Sequence, residues 1–183
     1  MSKNELTTEK MTQALGWAYE KALNGIPGDL SSESLAKSYM KRFSSTDEAI
    51  HSLIKWQTAK SSTSGFVTGL GGIVTLPVAV PVNIASVLYV QMRMIAAIAY
   101  MRGYDLKDDQ VQTFVFICLT GQAASDILKQ SGITVGTKLT VQLIKKVPGA
   151  TLTKINQKVA FRLVTKFGEK GVINLGKLVP VVG

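Results

Sequence analysis

A run of 32 uncharged residues that ends at Arg93 restricts the folds open to this chain. A transmembrane helix needs about 20 consecutive apolar residues, so length alone would permit a membrane span. The interior of the run argues against a simple span, because Pro77 and Pro81 interrupt a helix there. We therefore predict a glycine-rich helix near residues 65–76, a break at the prolines, and a long apolar helix over residues 82–102.

The glycines of "GFVTGLGGIVTLPVAVP" share one face of the first predicted helix. Gly65, Gly69 and Gly72 are spaced i, i+4 and i+7. Such a face lets two helix backbones approach closely, within the fold or between helices in a membrane. The nearby prolines favour packing within the fold. A phosphate-binding loop is excluded, because no lysine follows the glycines and Val74 stands where the dinucleotide fingerprint needs glycine.

The rest of the chain predicts further helices with recognisable start and stop signals. Ser45 and Glu48 form a capping box, Gly103 suits a helix end, and Asp105 suits the start of the next helix. Further helices are predicted near residues 5–24, 32–43, 44–56, 107–130, 137–146 and 150–168. The predicted class is all-α. One domain over residues 1–183 would have central apolar helices at 65–76, 82–102 and 107–130, wrapped by amphipathic helices from both ends.

Arg93 is the one charged residue between Lys60 and Arg102, in the predicted helix 82–102. An arginine in such surroundings either extends to solvent or is buried against a carboxylate. Asp126, the lone acid of the next apolar helix, is a candidate partner for a buried ion pair. The competing interpretation, slightly favoured, places Asp126 on the surface near a helix end.

The whole net charge of +9 comes from the last third of the chain. Residues 129–183 hold ten Lys/Arg and the single acid Glu169, whereas the charges of residues 1–128 cancel. Five of these bases are each four residues apart, and an apolar face accompanies them: Leu152, Ile155, Val159 and Leu163. The candidate surface, called the basic face below, consists of Lys138, Lys145, Lys146, Lys154, Lys158, Arg162, Lys166 and Lys170.

An anionic partner is the expected ligand of the basic face. Like charges four residues apart repel by about 0.2–0.5 kcal/mol per pair. Anionic lipid would offset this repulsion, at about 1 kcal/mol per base near a membrane surface. Nucleic acid is disfavoured, because the region has only Phe161 and Phe167 as aromatics and no recognisable binding module. A merely solvated basic face is the remaining interpretation.

Residues that could carry catalysis are sparse. His51 is the one histidine, on a predicted surface helix, and the one cysteine, Cys118, is expected in the core. A zinc site would need several such ligands. Helix capping explains the acids of residues 105–109, which lack the glycine and glutamate of an EF-hand loop. We assign no catalytic, cofactor-binding or metal-ligating residue. A third hypothesis is an enzyme that acts on a lipid or another hydrophobic substrate through these acids or Asp126.

Several motifs together resemble the EcsC protein family of bacteria: "GFVTGLGGIVTLPVAVP", "SVLYVQMRMIAAIAY", "GYDLKDDQV", "KINQKVAFRLVTKFGEKGVINLGK" and "VPVVG". The resemblance covers essentially the whole chain. It implies no set of catalytic residues. The family's namesake is encoded beside an ABC transporter, which implies a connection with membrane transport. Similar proteins continue past "VPVVG" into a glycine-rich stretch and a further helix, so the resemblance implies that this chain lacks them.

We therefore expect a non-enzymatic protein on the cytosolic face of a membrane, bound to anionic lipid through the basic face. The N-terminus "MSKNELTTEK" lacks the apolar core of a secretory signal, and one cysteine excludes an internal disulfide. The alternative is an adaptor for a transporter or another membrane protein, with the glycine face as its docking surface.

Overall fold

The computed structural model describes residues 6–61, 80–133 and 141–168, and most of these residues are helical. The α-helices are α1 (Thr8–Asn24), α2 (Ser32–Met40), α3 (Thr46–Ser61), α4 (Val82–Met101), α5 (Asp109–Cys118), α6 (Ala124–Gln130), α7 (Val141–Lys145) and α8 (Gly149–Gly168). A short 3-10 helix, Gly121–Ala123, precedes α6. The predicted all-α class is confirmed. The predicted helix near 65–76 and its glycines Gly65, Gly69 and Gly72 lie outside the described residues.

Hydroxyl side chains cap the first three helices. Thr7 accepts a hydrogen bond from the amide of Lys10, and Ser31 accepts one from the amide of Ser34, each at 3.2 Å. Ser45 accepts from the amide of Glu48 at 3.2 Å, which confirms it as the predicted cap. Each bond satisfies an amide that has no partner inside the helix.

The turn between α1 and α2 depends on glycine. Gly25 has a φ of 76°, a conformation that side chains with a Cβ rarely adopt. A Cβ there would lie 3.0 Å from both the carbonyl oxygen of Asp29 and the amide nitrogen of Ser31. The turn closes when the amide of Asp29 donates to the carbonyl of Ile26 at 2.9 Å, and the Ser32 hydroxyl donates to the carbonyl of Ala22 at 2.8 Å. These contacts fix the direction in which α2 leaves α1.

Helix α4 is the centre of the fold. It packs against α1, α2, α3 and α5, and most of its side chains are buried. Among the described residues it is the one helix long and apolar enough to cross a membrane by length and composition. Burial by neighbouring helices accounts for the same composition, since a helix that is apolar on all sides suits a protein core.

Two apolar clusters lie on opposite sides of α4. The larger joins α1, α5, α6 and α8 to one side of α4, with Tyr89 and Met92 fully buried. The smaller joins α2 and α3 to the other side through Met94, Ala97 and Met101. Because α4 contributes side chains to both clusters, this helix connects them.

The apolar segment after α4 is not the single helix predicted over 107–130. Helix α5 ends at Cys118, and Gly121, with a φ of 61°, turns the chain before α6 begins. The hydroxyl of Thr120 donates to the carbonyl of Ile117 at 2.6 Å within this break. At the start of α5, Asp105 accepts from the amide of Lys107 at 2.9 Å and thereby stabilises a preceding turn, not the helix itself.

Substitutions along α4 test its central position. Leu88 is fully buried, and Val82 at the start of the same helix is 57% exposed. We expect Leu88→Ala to lower the free energy of unfolding by about 2–5 kcal/mol, because it leaves a cavity. Val82→Ala should change it by less than about 0.5 kcal/mol. Urea denaturation of both variants measures the difference, and equal effects would contradict a packed α4.

Candidate functional site

The site is built on α8, which has four bases and no acid. Its apolar side packs on α1, α5 and α6, with Ile155, Val159 and Leu163 essentially inaccessible to solvent. The predicted apolar face of this helix is therefore confirmed. Because that side is anchored in the core, the bases occupy the remaining circumference.

The structure brings only part of the basic face together. Lys154 and Arg162 are exposed on α8, and Lys158 between them is half-buried. The ammonium of Lys158 donates to the backbone carbonyl of Gln130 at 3.2 Å and lies 3.4 Å from the side-chain oxygen of the same residue. This contact ties the middle of α8 to the end of α6.

The other members of the basic face lie elsewhere. Lys145 and Lys146 are exposed near the end of α7, and the Lys145 ammonium lies 3.6 Å from a carboxylate oxygen of Asp108. Lys166 is half-buried one turn after Arg162. Lys138 and Lys170 lie outside the described residues.

A groove of about 1120 Å³ runs along the bases of α8. One wall is α8, with Lys154, Lys158 and Arg162. The beginning of α1 forms a second wall, and the 3-10 helix with α6 forms a third. The groove therefore depends on three helices that are distant in sequence and meet in the larger apolar cluster.

Charge is divided between the walls of the groove. Glu9 comes from α1 and Asp126 from α6, whereas every base in the lining comes from α8. Both acids are exposed. Within the described residues no carboxylate lies within ion-pair distance of Lys154 or Arg162. The groove thus presents opposite charges on facing helices.

Phe161 belongs to the same wall and was not assigned to the site by sequence reasoning. Its side chain is 65% exposed although it lies between the bases of α8. Leu143, close to Lys145 and Lys146 in α7, is 56% exposed. Sequence spacing could have placed Phe161 beside the bases, because it comes seven residues after Lys154 and therefore lies on the same side of the helix.

The hypothesis of an Arg93–Asp126 ion pair is wrong. Arg93 is only 5% exposed, and its guanidinium lies 2.6 Å from a carboxylate oxygen of Asp29. Its Nε donates to the carbonyl of Leu30 at 2.6 Å, and the Tyr89 hydroxyl donates to the other oxygen of Asp29 at 3.3 Å. The glycine turn after α1 brings Asp29 to α4, whereas Asp126 is on the surface, as the competing interpretation held.

Tyr89 shows the electrostatic character of this buried cluster. Burial, and then the negative charge of Asp29, raise the pKa of its hydroxyl above the usual range. The hydroxyl therefore stays protonated and remains a hydrogen-bond donor to the carboxylate. The cluster joins α4 to the α1–α2 turn and takes no part in the groove.

A double-mutant cycle tests the pair. We expect Arg93→Met to lower the free energy of unfolding by about 3–5 kcal/mol, because it leaves the partner charge without compensation. The double variant Arg93→Met/Asp29→Asn should lose about 0.5–3 kcal/mol less unfolding free energy than the sum of its two single variants. The double variant Arg93→Met/Asp126→Asn should lose the sum of its two single effects. Urea denaturation gives each value.

Should the methionine variant not fold, Arg93→Lys replaces it. This variant keeps the charge but loses the Nε bond to Leu30. Additivity with Asp29→Asn together with coupling to Asp126→Asn would contradict the assigned pair.

Within the described residues, His51 and Cys118 do not form a catalytic arrangement with other reactive side chains. His51 is exposed, with Nδ1 at 2.9 Å from the carbonyl oxygen of Asp47. Cys118, the last residue of α5, is exposed and not in the core as predicted. No His, Cys, Asp or Glu group suited to a metal ion occurs in the described ranges.

The model of the EcsC protein family matches residues 2–183, essentially the whole chain. No curated protein and no solved structure shows significant similarity to the chain.

Proposed function

We propose that this chain, which belongs to the EcsC protein family, binds peripherally to the cytosolic face of a membrane through anionic lipid. The observation that carries the proposal is the combination of Lys154, Arg162 and Phe161 on the exposed side of α8. Two exposed bases flank an exposed aromatic ring on a helix without acids.

Electrostatic attraction is the first contribution. Each base near an anionic lipid surface contributes about 1 kcal/mol. Lys145 at the end of α7 and Lys146 just after it are also exposed, although Lys145 lies 3.6 Å from a carboxylate oxygen of Asp108. An anionic surface would offset the mutual repulsion of the bases on α8, which water and salt alone only screen.

Insertion of apolar side chains is the second contribution. Complete burial of a phenylalanine side chain contributes about 1.5–3 kcal/mol. Phe161 is exposed among bases, where its ring could enter the headgroup region while the charges remain at the surface. In the proposal the bases act by charge and the ring of Phe161 acts by apolar burial, both from the exposed side of α8.

Surface binding leaves the central helix in place. Helix α4 is covered on several sides by other helices and contains the buried Arg93–Asp29 pair. Moving this helix into a bilayer would expose both apolar clusters and separate the pair. Binding through α8 requires neither change, because Lys154, Arg162 and Phe161 are already exposed to solvent in the packed fold.

Vesicle flotation tests the charge requirement. The variant K154Q/R162Q removes two exposed bases of α8, and K41Q/K55Q makes the same charge change at exposed positions on the α2–α3 side. We expect K154Q/R162Q to bind phosphatidylglycerol-containing vesicles about 30-fold more weakly, since two bases contribute about 2 kcal/mol. The control variant should bind nearly as the unchanged protein does, and raising the salt should weaken binding.

Two results would contradict the proposal. One is equal recovery with vesicles of phosphatidylglycerol and of phosphatidylcholine alone. The other is an equal loss of binding in K41Q/K55Q, because net charge and not the α8 surface would then explain the attraction.

Substitution of the exposed aromatic tests the second contribution. We expect Phe161→Ala to weaken binding to the same vesicles by about five- to tenfold, through lost apolar insertion. Trp56→Ala is the matched control, since Trp56 is 61% exposed on α3. Titration with vesicles at several salt concentrations should show an unchanged salt dependence for Phe161→Ala. An equal effect of both substitutions would argue against a specific role of Phe161.

A second candidate function is docking on a membrane protein. Met40 and Phe43, at and just after the end of α2, and Trp56 on α3 are exposed large apolar side chains distant in sequence from the basic region. Side chains of this type are enriched in protein interfaces. A partner held by them should remain bound at high salt, whereas electrostatic attachment to lipid should not. Co-purification from membranes at low and high salt distinguishes the two.

A further inference from the structure

The groove beside α8 has a polarity that a flat basic surface lacks. Lys154, Lys158 and Arg162 form one wall, while Glu9 and Asp126 stand on the other helices. A ligand with charge of one sign only would meet repulsion from one side of this groove. A ligand with an anionic and a cationic end would match both sides.

The bases of the groove are not equivalent. Lys158 donates to Gln130 and so holds α8 against the end of α6. Lys154 and Arg162 lie four residues to either side, about 6 Å along the helix. They are exposed, and no described carboxylate pairs with either. They are therefore available to a phosphate group, which arginine binds through two parallel hydrogen bonds.

The acids of the groove are accessible acceptors. Asp126 and Glu9 line the groove, and both are exposed. An ionised carboxylate accepts hydrogen bonds and donates none. The acidic side of the groove therefore favours a cationic ligand group that carries N–H bonds.

We propose that the groove binds a phosphate ester that carries a primary ammonium group, the chemistry of a phosphoethanolamine headgroup. The phosphate lies against Lys154 and Arg162, and the ammonium donates towards the carboxylates of Asp126 and Glu9. A choline headgroup has the same charges but no N–H bond, so it cannot satisfy these acceptors. Where the headgroup belongs to a lipid, the inference rests on the proposed membrane association, and Phe161 borders the groove beside it.

Vesicles that differ only in their neutral lipid test the inference on the full chain. All contain the same fraction of phosphatidylglycerol, and the remainder is phosphatidylethanolamine in one set and phosphatidylcholine in the other. We expect roughly tenfold tighter binding to the ethanolamine set, the size of one charge-assisted hydrogen bond. Asp126→Asn should abolish this preference.

The charge change in Asp126→Asn makes the result interpretable. Removing an acid raises the net charge, so non-specific adsorption to phosphatidylglycerol should not fall. Glu20→Gln is the matched control, because Glu20 is exposed on α1 and does not line the groove. It should retain the ethanolamine preference. A preference that persists in Asp126→Asn would overturn the inference, since a bilayer property and not the groove would then explain it.

The soluble headgroups separate a lipid from a free phosphate ester. Calorimetric titration with glycerophosphoethanolamine should show saturable binding that Asp126→Asn loses, and glycerophosphocholine should bind at least tenfold more weakly. Binding of the soluble ester without vesicle binding would support the groove and overturn the proposed membrane association. Equal binding to both vesicle sets and to both soluble esters would overturn the groove assignment and leave the membrane association standing.

Discussion

The ion pair between Arg93 and Asp29 is the interaction on which the arrangement of the helices depends. A guanidinium buried in the central helix would be strongly unfavourable without a carboxylate, and Asp29 supplies one at 2.6 Å. Asp29 reaches α4 only because Gly25 permits the tight turn after α1. The pair therefore links the centre of the fold to the α1–α2 turn. Since α1 also forms a wall of the groove, the same link contributes to the position of that wall.

In the proposed function, the protein contacts a membrane while α4 stays within the fold. The side chains of this helix face two separate clusters, so its hydrophobic surface is used within the fold. The bases of α8 and the ring of Phe161 remain outside, on a helix whose other side is anchored in the larger cluster. In the proposed function a rigid core presents a charged, partly apolar edge to lipid. In the proposed headgroup site the groove adds selectivity to that edge, because three helices place opposite charges around one volume.

Local signals allowed much of the helical structure to be predicted. The cap at Ser45 and the apolar side of α8 depend on neighbours within a few residues, and both are confirmed. The partner of Arg93 could not be found this way, because it depends on where a glycine turn directs Asp29. The break at Gly121 was missed because an apolar run hides a single positive-φ glycine. The groove was also missed, since its three walls are adjacent only after packing.

The central claim is that the α8 edge meets the bilayer while α4 stays within the protein. Electron paramagnetic resonance measures it most directly, with a nitroxide placed singly at position 161 or 82 in a Cys118→Ser background. Both native side chains are mostly exposed in the fold, at 65% and 57%. On phosphatidylglycerol vesicles we predict that the label at position 161 becomes shielded from a water-soluble relaxation agent and accessible to oxygen, while the label at 82 stays in water. Immersion of the label at 82, or no change at 161, would contradict the account.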